Sequence, residues 1–198
     1  MYKYIALFFS LIFSTFSCFS NPIDDIEYKK DDFFNFFIEI PAGTSQKWEI
    51  NKSSGDLEWD EKKGKKRIIQ FLPYPGNYGF IPQTLSGDKD PIDLIMIDEY
   101  RNRGSVHQVK IIGGLFFKDK KELDIKLIGV SPTGVFKDYV SINDLFLEKP
   151  EVLNILKIWF ESYKKQGKMV FYRYIDRTQA LNYIEEAHLK WKLKNTTR

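Results

Sequence analysis

Cysteine is nearly absent from this sequence: among 198 residues only Cys18 carries a thiol. An intrachain disulfide is therefore excluded, as are thiolate metal centres and cysteine catalysis elsewhere in the chain. Histidine is scarce too. His107 and His188 are the only two, and each reads as structural rather than as a metal ligand. An excess of one charge is also missing, because 30 basic and 27 acidic residues leave a formal net charge of +3. That balance gives no broad basic face and argues against a nucleic-acid partner. Finally, no apolar run reaches the roughly 20 residues that a membrane-spanning helix needs.

The longest apolar run extends from Tyr4 to Phe19, behind Lys3 and ahead of the small residue Ser20. Asp24, Asp25 and Glu27 follow it in place of a basic stop-transfer flank. This layout predicts a signal peptide over residues 1–20, cleaved near Ser20 or Asn21, and export to a periplasmic or secreted location. An uncleaved N-terminal anchor and a lipid on Cys18 are the other readings of the segment. Cleavage would remove the only thiol and lower the charge to +2. Residues 21–198 then read as one domain without a membrane span, standing on an aromatic-rich core alone.

Short strands divided by turns dominate the first two thirds. Expected strands lie at 34–40, at 47–50 and 57–59 as a hairpin around Asn51-Lys52-Ser53-Ser54-Gly55, and at 67–72. Residues 73–79, Pro-Tyr-Pro-Gly-Asn-Tyr-Gly, read as an irregular turn, and the apolar stretch 92–97 as a central strand. A second hairpin is expected from 106–117 and 123–130 around residues 118–121. The last third turns helical. Pro150 opens a segment with Val152, Leu156, Trp159, Phe160 and Tyr163 on one stripe, stopped by Gly167. Asp176 and Gln179 then have capping-box spacing ahead of Leu181, Ile184, Ala187 and Trp191. The only compositionally biased run is Lys62-Lys63-Gly64-Lys65-Lys66-Arg67.

The sharpest chemical signal is Asp88-Lys89-Asp90-Pro91-Ile92-Asp93, three carboxylates in six residues. Carboxylates this close raise one another's pKa unless solvation in a turn or hard divalent cations hold them. An EF-hand is excluded, since its fifth position is acidic and its sixth glycine, where this run has Ile92 and Asp93. Charges also alternate with apolar residues elsewhere. Lys47 and Glu49 share one strand face, Asp124 and Lys126 share another, and Glu39 interrupts Phe36-Phe37-Ile38-Glu39-Ile40. Each pair alone suits the solvent side of a sheet; together they fit a cleft in which acids gather cations and bases neutralise a polyanion.

The ordered set of motifs resembles the family I soluble inorganic pyrophosphatases over roughly residues 33–170. It consists of Phe37-Ile38-Glu39-Ile40-Pro41-Ala42-Gly43, Lys47-Trp48-Glu49, the 73–79 turn, the 88–93 acidic run, 119–126, and Tyr163-Lys164. The resemblance implies an α+β, mainly β fold: a small twisted OB-like barrel of five strands with two C-terminal helices and peripheral hairpins. It implies hydrolysis of inorganic diphosphate with several Mg²⁺ ions per site, and hexamers among bacterial members. Carried over, Asp88, Asp93 and Asp124 ligate metal, Asp119 joins Asp124 at a further site, and Glu39 holds metal through water. Asp90 orients and deprotonates the attacking water. Lys47, Lys126, Tyr163 and Lys164 bind phosphate oxygens, while Tyr78, Tyr74 and Glu49 line or support the site. The family's upstream arginine corresponds to Arg67, with Lys66 nearer the expected offset. The same cleft also suits a hydrolase of a larger diphosphate ester or polyphosphate, or an inactive metal- or polyanion-binding relative.

Overall fold

The computed structural model of the chain describes residues 21–119, 122–164 and 168–196. The expected signal peptide and the helix stop at Gly167 lie outside them. A short helix, α1 (Pro22–Asp25), is capped by Asn21, whose side chain accepts the Ile23 N–H. Then come β1 (Lys29–Lys30), β2 (Phe33–Ile40), a hairpin of β3 (Trp48–Ile50) and β4 (Leu57–Trp59), and a smaller one of β5 (Glu61–Lys62) and β6 (Lys65–Lys66). β7 (Asn77–Ile81), β8 (Ile92–Met96), β9 (Val106–Asp119) and β10 (Glu122–Val130) complete the central strands. The C-terminal part holds α2 (Ile142–Glu148), α3 (Pro150–Ser162), β11 (Met169–Ile175) and α4 (Arg177–Thr196).

Five strands close on themselves. β2 pairs with β7, β7 with β8, β8 in parallel with β10, β10 with β9, and β9 returns to β2. Closure removes free edges, and β1 and β11 extend the ring at its margins. Along β8, Ile92, Leu94 and Met96 join one apolar cluster, built also on Phe36, Val109 and Leu127 and covered by Ala180, Ile184 and Ala187 of α4. The alternate residues face the other way. There Ile95 and Ile128 pack under Leu153, Leu156, Trp159 and Phe160 of α3, while Asp93, Asp124 and Lys126 on the same strand faces lead away from the apolar packing.

Both C-terminal helices have the expected starts. Pro150 occupies the first turn of α3, and ahead of α4 the Gln179 N–H donates to Asp176 Oδ1 at 2.8 Å while the Asp176 N–H donates to Gln179 Oε1 at 3.3 Å. Two sequence expectations are corrected. Residues 67–72 form no strand, because only Ile68 bridges to Gln46, Ile69 alone is buried, and Phe71 and Leu72 are exposed. The 73–79 segment is irregular only as far as Gly76, since Asn77 opens β7. In addition, α2 and β11 are present without having been expected: α2 is too short to show a period, and only Met169 and Ile175 of β11 are buried.

Candidate active site

The Asn77-Tyr78-Gly79 segment shows how the local sequence builds the site. Asn77 is fully buried with both ends of its side-chain amide engaged: Oδ1 accepts the Ala42 N–H at 3.1 Å and the Arg101 N–H at 2.9 Å, and Nδ2 donates to Glu99 O at 2.7 Å. Two separate segments, the one at Ala42 and the loop at Glu99 and Arg101, are thereby pinned to the start of β7. At Gly79 a Cβ would lie 1.9 Å from Phe37 O, so only glycine lets β2 and β7 approach this closely. Between these residues, Tyr78 points to the cavity side.

The pairing of β2 with β7 shifts register between Ile38 and Ile40, a bulge centred on Glu39. Bulges re-aim side chains, and this one turns a carboxyl from an apolar strand into the cavity. Glu39 Oε1 accepts the Ile50 N–H at 2.8 Å. Burial raises its pKa to about 8, against the pull of that N–H and of Lys47. β10 presents Asp124 and Lys126 two residues apart on one face, and β8 presents Asp93 beside them. Lys126 Nζ contacts Asp93, lies 2.7 Å from Asp124 and donates to Tyr78 Oη at 3.2 Å. Burial alone would lower the Lys126 pKa, but Asp93 and Asp124 outweigh it and hold the ammonium well above its ordinary range. Burial raises the Asp124 carboxyl despite Lys126, and burial with Asp93 keeps the Tyr78 hydroxyl protonated far above its usual value.

Asp119 ends β9 and Asp124 is the third residue of β10, opposite Phe117, and Lys164 beyond α3 donates to Asp119 at 2.7 Å. Tyr163 closes α3 as its C-cap and stacks on Trp159 at 4.6 Å; Tyr74 lies 4.4 Å from the same Trp159 and 5.2 Å from Tyr78, buried behind the cavity rather than lining it. In the acidic run Asp88 Oδ1 accepts the Asp90 N–H at 3.0 Å and the Ser86 hydroxyl, while Lys89 takes a left-handed φ of 68°. The β3–β4 hairpin brings Lys47 and Glu49 together as an ion pair.

All these groups meet. Glu39, Lys47, Glu49, Arg67, Tyr78 and the acidic-run residues Asp88, Asp90 and Asp93 line one cavity of about 330 Å³. Asp119, Asp124, Lys126, Tyr163 and Lys164 complete its wall, so of the expected site residues only Tyr74 stands back from this space. Neither histidine does. His188 instead stacks 3.7 Å from Tyr28 and donates from Nδ1 to Gln83 O, 2.7 Å away. Among the described residues, the acids are not drawn into a tight group of three. Asp88, Asp93 and Asp124 share the wall without forming a ready coordination sphere, because ammonium groups pair with the acids: Lys126 with Asp93 and Asp124, Lys164 with Asp119, Lys52 with Asp90.

A family model described as inorganic pyrophosphatase matches residues 36–192. The chain belongs to the inorganic pyrophosphatase family. It is 34% identical over 163 residues to the inorganic pyrophosphatase of Campylobacter jejuni, covering 80% of this chain and 91% of that one. With the inorganic pyrophosphatase of Nanoarchaeum equitans it shares 35% identity over 160 residues, 79% of this chain and 96% of the relative. Among solved structures, an N-terminally truncated Trypanosoma cruzi vacuolar soluble pyrophosphatase in complex with PPi superposes with a TM-score of 0.83 at 28% identity, over 89% of this chain and 80% of that chain. The Thermus thermophilus inorganic pyrophosphatase gives 0.76 at 28% identity, over 86% and 99%. Hydrolysis of diphosphate to two phosphates is accordingly the activity of this pyrophosphatase chain.

Two parts of this pyrophosphatase site escaped the sequence reading. Lys52, in the β3–β4 turn, reaches across to Asp90, and no periodicity could place a turn residue there. Tyr183 of α4 sits in hydrogen-bond contact with Ser86, which holds Asp88; burial raises its pKa to about 12. The choice between Arg67 and Lys66 also becomes visible. Arg67 lines the cavity and pairs with Asp60, whereas Lys66 lies outside it over the Trp59 ring at 4.9 Å.

Proposed function

We propose that this chain cleaves diphosphate by direct attack of water, with Mg²⁺ held by Asp88, Asp93, Asp119, Asp124 and, through water, Glu39. The observation that carries the reading is the charge of the cavity wall: seven carboxyl groups stand against five cationic side chains. Such a wall repels a polyanion unless cations enter first. The donor set fits a hard divalent ion, being carboxylate without imidazole or thiol. When bound, the ions neutralise phosphate charge and lower the pKa of water.

The chain's own groups supply the rest. Lys47, Arg67, Lys126, Tyr163 and Lys164 grip phosphate oxygens, and Glu49 holds Lys47 in place. Asp90 takes the proton of the attacking water, fixed through its backbone N–H to Asp88. Tyr78 stays protonated and donates toward the transferring phosphoryl group, while Lys126 behind it stabilises developing charge. Water attacks phosphorus in line, the bridging P–O bond breaks, and two orthophosphates leave.

Asp90→Asn is expected to lower kcat by about 100-fold or more with Mg²⁺ affinity nearly unchanged, and Asp93→Ala to damage both. Steady-state kinetics with calorimetric Mg²⁺ titration checks this, and equal effects in the two variants would sink the role assignment. Export after removal of residues 1–20 and assembly of several copies belong to the same proposal. The first is supported by Lys3 and the apolar run from Tyr4 to Phe19, the second by exposed Phe146, Leu147, Ile155 and Ile158 on α2 and α3.

A further inference from the structure

The lysine-rich run singled out in the sequence remains unused by the reaction described above. It forms the β5–β6 hairpin, with Lys63 and Gly64 at its tip in left-handed backbone at φ 55° and 72°. That turn favours Asn or Asp at its first position, and lysine stands there instead. Lys62 lies directly opposite Lys65 in the ladder, an arrangement that costs stability through like-charge repulsion. Among the described residues, no carboxylate forms an ion pair with Lys62, Lys63, Lys65 or Lys168.

These lysines line a depression of about 620 Å³ together with Lys66, Ile68, Gln70 and Arg67. No acid and no aromatic ring contributes to its wall. Arg67 belongs to this wall and to that of the catalytic cavity, so the two spaces adjoin at one residue. A ligand suited to both must carry closely spaced negative charges beyond its first two phosphates. Without rings to stack on, nucleic-acid bases find no platform.

We propose that the β5–β6 hairpin docks the body of a linear inorganic polyphosphate whose terminal phosphates occupy the catalytic cavity. The proposal rests on the diphosphate reading of that cavity. Long polyphosphate then competes with diphosphate far better than tripolyphosphate does, since only the long chain reaches the hairpin. Its binding weakens steeply with salt, as expected of contacts made by exposed lysines.

The test uses the full chain and the triple variant Lys62→Gln/Lys63→Gln/Lys65→Gln, whose substitutions sit at exposed positions outside the catalytic wall. In the wild type, long-chain polyphosphate inhibits diphosphate turnover more strongly than tripolyphosphate. The variant is expected to lose about tenfold in long-chain inhibition and to flatten its salt dependence by about two logarithmic units per decade of salt. Its kcat/KM for diphosphate and its response to tripolyphosphate stay unchanged. Equal long-chain inhibition of both proteins overturns the proposal, and so does hairpin-dependent sedimentation with anionic vesicles alongside hairpin-independent polyphosphate inhibition. Anisotropy of end-labelled polyphosphate reads the docking without turnover, so a failure of the catalytic reading is told apart from a failure of the hairpin.

Discussion

Lys126 is surrounded by more unlike charge than any other base in the cavity, with Asp93 and Asp124 on one side and the Tyr78 hydroxyl on the other. Removing one member of such a buried set leaves the remainder uncompensated. Lys126→Met is therefore expected to cost about 3 kcal/mol of stability in chelator. Mg²⁺ should return part of that loss by facing the same carboxylates, and denaturant unfolding with and without the ion measures both. Glu39 gives a pH signature. Because its folded pKa is raised from 4.5 to about 8, the folded state holds a proton that the unfolded state has released between those values. Stability of the metal-free chain thus falls as pH rises from about 4.5 to about 8, and Glu39→Gln should flatten that slope. At this scale the sequence was highly informative, since chemistry-bearing residue types in motif order can be read without knowing their geometry. Lys52 and Tyr183 were not legible, because one is a turn residue and the other lies on a distant helix, both brought in by tertiary packing.

At the scale of elements, β2, β3, β4, β8, β9 and β10 and the two longest helices were legible from strand-like apolar stretches, helical periodicity and capping residues, while β5, β6 and β11 were not. The turn before β7 was misread for a physical reason. Pro73, Pro75 and Gly76 mark a break, yet Asn77 begins a strand because its side chain, not its turn propensity, satisfies three backbone groups. Gly79→Ala should cost about 3 kcal/mol, since the added methyl meets Phe37 O and the strands must separate; a melting curve reads the loss. Tyr183→Phe tests the link from α4 to the acidic run. It is expected to preserve the fold while weakening apparent Mg²⁺ activation several-fold, because the Ser86 contact that steadies Asp88 loses its partner. Unchanged activation would make Tyr183 a packing residue alone.

Across the whole molecule, ring closure accounts for the site. Residues from Glu39 to Lys164 reach one cavity because β2, β7, β8, β10 and β9 form a continuous circuit and α3 ends at its rim. Periodicity announces strands but not their order, so the barrel itself came from resemblance rather than from pattern. The N-terminal segment belongs to this scale as well. Expression with export is expected to yield a chain beginning near Asn21, and N-terminal sequencing of the exported protein checks it. The most direct test of the central claim is phosphate release from diphosphate by the purified protein, with Mg²⁺ and with chelator, against a nucleoside triphosphate. Rapid release from diphosphate that requires Mg²⁺ is the predicted result; release that persists in chelator, or that favours the triphosphate, would contradict it.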